Sequence, residues 1–160
     1  ETIKYRNLIL VNLIINKQIV TNWYWCYFPS RDVLFSRIHE PKLWSSDMAS
    51  FEDKTLVCTE IFCNYNDSNW NMKDEELIKM IQNKLLYIGI VNSKEDILDA
   101  CVKKIEYAYP LHYKGFEKPL NLVKGFLGTF HNLRLIGRNG THSYLDMEEC
   151  IENARKVVNG

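Results

Sequence analysis

The sequence predicts an α+β fold, a mostly antiparallel sheet with helices packed on it. Three patterns carry that prediction. Leu8-Ile-Leu-Val-Asn-Leu-Ile-Ile15 is dense in the side chains that favour strands, and its lack of alternation predicts a strand over 5–17 buried on both faces. Two further runs, Trp23–Phe28 and Leu34–His39, follow after short turn signals at Asn16-Lys17 and Pro29-Ser-Arg-Asp32; three strands so connected predict an antiparallel meander. Leu77, Ile78, Ile81, Leu85 and Ile88 recur at helical spacing after Asp74-Glu-Glu76, a start rich in the acids that suit a helix N-terminus.

The remaining elements follow in order. Residues 41–54 are polar and irregular, with Trp44, Met48 and Phe51 as candidate anchors. Thr55–Cys63 is a fourth strand, with Leu56, Cys58, Glu60 and Phe62 alternating against Val57, Thr59 and Ile61. A loop rich in Asn, Asp and Ser covers 64–72. The helix from Asp74 ends near Gly89. After the polar link 92–96, residues 97–108 fit a strand or a helix, and Pro110 favours strand for 102–108. Residues 118–130 form a second helix, with Pro119 in its first turn and Leu120, Val123, Phe126, Leu127 and Phe130 apolar.

The last stretch, Asn132–Ala154, organises the rest. Leu133, Leu135 and Ile136 predict a short strand, and Gly137 and Gly140 bracket Arg138 and Asn139 in a turn where backbone can approach something bulky. Asp146 is the expected N-cap of a final helix, with Glu148 and Glu149 in its first turn. Such a strand, turn and helix N-terminus suits an anionic or polar ligand, although its spacing alone favours an ordinary strand-to-helix connection. The expected organisation is 1–130 as an α+β domain and 131–160 as the terminal segment, together one compact unit.

Composition excludes several classes. With 160 residues, of which 46% are hydrophobic and 25% charged, the chain has the make-up of a globular domain. Twenty basic and 20 acidic side chains cancel to zero net charge, which argues against nucleic acid and acidic membrane surfaces as partners. The 5 Cys show no CxxC spacing and read as free thiols of a reducing, cytoplasmic setting. No apolar run reaches membrane-spanning length. The start, Glu1-Thr-Ile-Lys, lacks Met and any signal-peptide pattern, as expected of a segment of a longer protein.

Motifs for hydrolysis, metal binding and nucleotide phosphates are missing: there is no GxSxG, HExxH, Walker loop or GxGxxG. Arg37-Ile-His39-Glu40 places three polar side chains at a strand end, as a site or as a solvated edge. Tyr107, Tyr109 and Tyr113 suit a ligand pocket or a wet-edged core. Trp23 and Trp25 suit stacking on a planar ligand or core packing. His112 and His142 have no partners at metal spacing, so no metal is expected.

Taken in order, four segments resemble the C-terminal half of the flavin-dependent oxidoreductases that include amine oxidases, protoporphyrinogen oxidase and UDP-galactopyranose mutase. They are the aliphatic strand followed by the aromatic run ending Tyr27-Phe-Pro29; Phe35-Ser-Arg-Ile-His-Glu-Pro41, similar to a segment of the sugar-mutase branch; Ala108-Tyr-Pro-Leu111; and Leu133-Arg-Leu-Ile-Gly-Arg-Asn-Gly140 with Tyr144-Leu-Asp-Met147. The resemblance implies FAD as cofactor, contacted by Gly137, Arg138, Gly140, Tyr144, Asp146 and Met147, with Arg138 near the phosphates. It implies a substrate wall that includes Arg37, Tyr107 and Tyr109, facing a small-molecule substrate. It also implies a partner, the N-terminal Rossmann domain of the same protein, whose GxGxxG loop this chain lacks and without which FAD is not expected to be retained. The catalytic base is unassigned. A mutase in which reduced flavin is the nucleophile, and a non-catalytic binding module, are the alternative expectations.

Overall fold

The side that a strand buries is fixed by what packs on it, and one helix decides this for the central strands. In the computed structural model, which describes residues 2–50 and 52–159, five strands form one sheet in the order β2-β3-β4-β1-β5. These are β1 (Tyr5–Ile15), β2 (Trp25–Tyr27), β3 (Arg37–His39), β4 (Thr55–Cys63) and β5 (Ile97–Pro110). The pairs β1–β4, β2–β3 and β3–β4 are antiparallel. Five α-helices are described: α1 (Ser68–Asn71), α2 (Asp74–Tyr87), α3 (Glu117–Leu127), α4 (Gly137–Thr141) and α5 (Met147–Asn159). Short 3₁₀ turns lie at Pro41–Leu43, Ser46–Met48 and Lys94–Asp96.

The chain falls into two compact units, residues 7–106 and residues 1–6 with 107–160. The hydrophobic core belongs to the 7–106 unit. Ile9, Val11, Leu13 and Ile15, alternate residues of β1, are fully buried, as are Val57 of β4 and Leu77, Ile81 and Leu85 of α2. Spacing of 2 on the strands meets spacing of 4 on the helix, which is how a sheet face and a helix stripe close on each other. Burying each such side chain contributes roughly 1.5–3 kcal/mol. The opposite face of β1, with Leu10, Asn12 and Ile14, is only half-buried. The expected burial of both faces therefore holds for one, because α2 covers only one.

The meander also differs from expectation. It runs β2-β3-β4, and β1 lies beyond β4 instead of beside β2. Strands β2 and β3 are short, three residues each. Trp23 therefore precedes β2 and is half-buried against the core, while Trp25 stays 51% exposed. Trp44 and Met48 are exposed, not anchors; Phe51 lies outside the described residues. Helix α2 ends as its glycine predicts. Gly89, at φ +75, lets its own N–H reach Leu86 O and the N–H of Ile90 reach Leu85 O, the Schellman closure.

Glu40 is the main correction at a strand end. It is fully buried, not a solvated edge. Its carboxylate accepts hydrogen bonds from Val20 N (3.1 Å), Thr21 N (2.9 Å), Thr21 Oγ1 (2.7 Å) and Thr55 Oγ1 (2.6 Å). These four donors tie the loop after β1 to the start of β4 and offset the cost of taking a carboxylate out of water. Replacing Glu40 with Ala should lower unfolding free energy in urea by about 3 kcal/mol, since it strands several buried donors. Glu40→Gln should cost less, and an Ala variant as stable as wild type would contradict this role.

Candidate functional site

Two constellations bring together residues singled out by the sequence, one in each unit. In the 7–106 unit, the register pairs Arg37 with Glu60 and His39 with Cys58 across β3–β4, and Tyr27 with Arg37 and Trp25 with His39 across β2–β3. Because side chains alternate, Trp25, Tyr27, Arg37, His39, Cys58 and Glu60 share the face turned away from α2. Glu60 is nearly buried and binds Arg37 in a two-pronged pair, Nε to Oε1 at 2.9 Å and Nη2 to Oε2 at 2.7 Å. His39 Nδ1 lies 3.1 Å from Glu60 Oε1. Arg37 also donates to Tyr27 OH at 3.3 Å. Burial works to raise the Glu60 pKa, but the hydrogen bonds from His39 and Arg37 and the charge of Arg37 overcome it, holding the carboxyl below the usual glutamate range. Burial, reinforced by the charge of Glu60, pushes the Cys58 thiol up to about 12, so it stays protonated and unreactive.

Glu60 is the residue that sequence reasoning missed. It stood in a strand as one alternating residue, and the only signal was an acid on an otherwise apolar run. Beside it lies an aromatic cluster: Trp44 stacks on Tyr24 (6.4 Å between ring centroids, 18° between planes) and contacts Trp25 (5.8 Å) and His39 (5.3 Å).

The second constellation lies in the unit of residues 1–6 and 107–160 and contains the expected flavin-contacting segment. No strand forms at 133–136, and the predicted glycine turn is the short helix α4. Tertiary partners supply what local propensity lacks. The Gly137 N–H donates to Asn153 Oδ1 of α5 at 3.0 Å, and Thr141 Oγ1 donates back to Gly137 O at 2.7 Å. Gly137 sits at φ +68, a conformation that favours glycine, and open space surrounds the position of a side chain there. Gly140 needs no such freedom; a β-carbon there meets Leu135 backbone at an ordinary 3.7 Å.

Arg138 gathers this segment around itself. Its Nε and Nη2 donate to Leu145 O at 2.7 and 2.5 Å, and Nη2 lies 3.5 Å from Asp146 Oδ1. The guanidinium sits over the rings of Tyr144 (4.5 Å) and Tyr109 (5.2 Å), which are themselves stacked. Its Nη1 has no hydrogen-bond partner among the described residues and is the donor available to an anion. Asp146 occupies the N-cap position expected of it: its N–H is held by Glu149 Oε2 at 2.7 Å, and its carbonyl accepts from Cys150 N at 2.9 Å. An open groove of about 520 Å³ is lined by Arg138, Leu145, Met147, Cys150 and Ile151. Tyr107 adopts φ 55 within β5, which costs an L-residue about 1–3 kcal/mol; its ring meets Tyr5 edge-on, and its carbonyl accepts from Asn139 Nδ2. Arg37 thus belongs to one unit, and Tyr107 and Tyr109 to the other.

His142 ends α4 in the left-handed conformation, φ 52, with its side chain buried among Tyr5, His112 and Phe116. Neither ring nitrogen has a hydrogen-bond partner among the described residues. Burial, and then the nearby His112, hold its pKa below the ordinary value of 6.5. Among the described residues no cluster of His, Cys, Asp or Glu has the geometry of a metal site, and no helix is long and apolar enough to cross a membrane.

No protein-family model matches the chain, and no curated protein matches it in sequence. Solved structures do match in fold. The chain is similar to reduced UDP-galactopyranose mutase, with TM-score 0.73 and 18% identity over 89% of this chain and 30% of that one. It is also similar to a putative protoporphyrinogen oxidase from Exiguobacterium sp. 255-15, with TM-score 0.70 and 14% identity over 98% of this chain and 34% of that one. The chain therefore spans about a third of each and shares their fold over that third.

Stability should fall in two steps on acidification. For His142 the unfolded chain takes the proton first, so stability present above pH 6.5 declines as pH drops below it. For Glu60, stability present above its ordinary value of 4.5 is lost as pH falls towards the lowered folded value. Thermal unfolding followed against pH should show both steps, and His142→Phe should remove the first while leaving the second.

Proposed function

We propose that this chain is the substrate-pocket and flavin-rim portion of an FAD-dependent oxidoreductase of the amine oxidase and protoporphyrinogen oxidase kind. The observation that carries this reading is the fold shared with a third of two enzymes whose names belong to the group that the sequence segments resemble. The residues of the C-terminal segment fit a flavin in kind. Arg138 Nη1 offers a cationic donor, Tyr144 presents an exposed ring, the space beside Gly137 is open, and the groove beside Met147 borders them. When bound, the flavin supplies the two-electron chemistry. The chain's own residues hold it: Arg138 compensates negative charge, and the N-terminus of α5 adds its dipole at the same place. Asp146 fixes Arg138 and starts α5. The Rossmann domain of the same protein supplies the remaining contacts, and the residues that the resemblance gives to the substrate are Arg37 in the 7–106 unit and, separately, Tyr107 and Tyr109 in the other.

A second reading is a mutase of sugar nucleotides in which reduced flavin is the nucleophile; the likeness to UDP-galactopyranose mutase favours it. An absorbance spectrum of the whole protein as purified tests the class, because a flavin band is expected and its absence from protein expressed with ample riboflavin would refute both readings. Reducing that protein and supplying UDP-galactose separates them: isomerisation without net oxidation marks the mutase. FAD mixed with the 160-residue chain alone should keep its fluorescence, since the ADP-binding contacts are expected elsewhere. Micromolar quenching would contradict that expectation.

A further inference from the structure

The face of the 7–106 unit turned away from α2 carries an arrangement that the flavin reading does not use. Glu60 is buried, ionised and therefore only an acceptor of hydrogen bonds. His39 Nδ1, 3.1 Å from its Oε1, must be the protonated nitrogen in the neutral ring. That fixes the tautomer, as a carboxylate does for an imidazole that must act through its other nitrogen. Nε2 then carries the lone pair, on the side of the ring away from Glu60, and has no hydrogen-bond partner among the described residues. The His39 side chain is 17% exposed, against 4% for Glu60, so the ring bridges the sheet interior and its surface. Around it stand Arg37, paired to the same carboxylate, and Cys58, a protonated thiol. Trp25 and Trp44, exposed at 51% and 44%, flank its outer edge.

We propose that His39, oriented by Glu60, is the proton acceptor of this face, taking a proton at Nε2 from the O–H or N–H of a planar substrate stacked on Trp25 and Trp44. The inference rests on the reading of this face as a substrate wall. The transfer balances simply: the substrate X–H bond breaks, its electron pair stays on X, and the proton adds to the Nε2 lone pair. The imidazolium formed lies against the Glu60 carboxylate, which supplies the compensating charge without taking the proton itself. The aromatic edges accept planar rings by offset stacking, which selects aromatic or heteroaromatic substrates over aliphatic ones.

The probe is 4-nitrophenol, a planar phenol whose anion is coloured, titrated with the 160-residue chain at a pH well below the phenol's own midpoint, where little of it is ionised in buffer. Nitrophenolate absorbance should rise several-fold over buffer and saturate with protein. His39→Gln should abolish the rise while keeping the wild-type circular dichroism, and Trp44→Ala should weaken the saturation by roughly tenfold. Long-range ¹⁵N–¹H spectra should show neutral His39 protonated at Nδ1 in wild type and as a mixture of tautomers in Glu60→Gln. No rise in nitrophenolate, a rise retained in His39→Gln, or a neutral His39 protonated at Nε2 would each overturn the proposal. A whole protein without flavin would refute the oxidoreductase reading yet leave these measurements unaffected, so the two failures are distinguishable.

Discussion

The one-sided burial of the β1–β4 ladder against α2 is the constraint on which the 7–106 unit depends. Ile9, Val11, Leu13, Ile15 and Val57 close on Leu77, Ile81 and Leu85 with no exposed surface. The pleat then sends every intervening residue to the other side. Glu60, Cys58 and Asn12 reach that side because Thr59, Val57 and Val11 are committed to the core. A one-residue slip of register would bury Glu60 in the apolar layer and expose Ile61, so the hydrophobic layer sets the position of the polar face.

Two glutamates illustrate how position decides what a buried carboxylate does. Glu40 is surrounded by backbone N–H groups and threonine hydroxyls and fastens a loop. Glu60 is surrounded by the cation of Arg37 and the ring of His39 and sets the orientation of both. The first satisfies donors that would otherwise be stranded; the second leaves one nitrogen of His39 presented at the surface. A buried acid without such donors would be destabilising in either place.

In the other unit, the terminal segment shows local propensity yielding to tertiary partners. Asn139-Gly140 reads as a turn, and Leu133 to Ile136 as a strand. Helix α4 forms because Asn153 receives the Gly137 N–H and Thr141 bonds back within the helix. Arg138 then folds over Leu145 and over the rings of Tyr109 and Tyr144, so residues far apart in the chain become one cluster.

By itself the sequence determined the α+β class, the long strands β1 and β4, the 102–108 part of β5, helices α2, α3 and α5, and the N-cap at Asp146, because these rest on periodicity and on local hydrogen bonding. It also pointed to Gly137, Arg138, Tyr144 and Asp146 as neighbours in one segment. Tertiary structure alone decided that β1 pairs with β4 instead of β2, that Glu40 is buried, that 133–136 is not a strand, and that Glu60 joins Arg37 to His39. The physical reason is the same in each case. Strand partners and buried ion pairs arise between residues distant in sequence, where hydrophobic pattern fixes which face is buried and leaves open which neighbour will stand across from it.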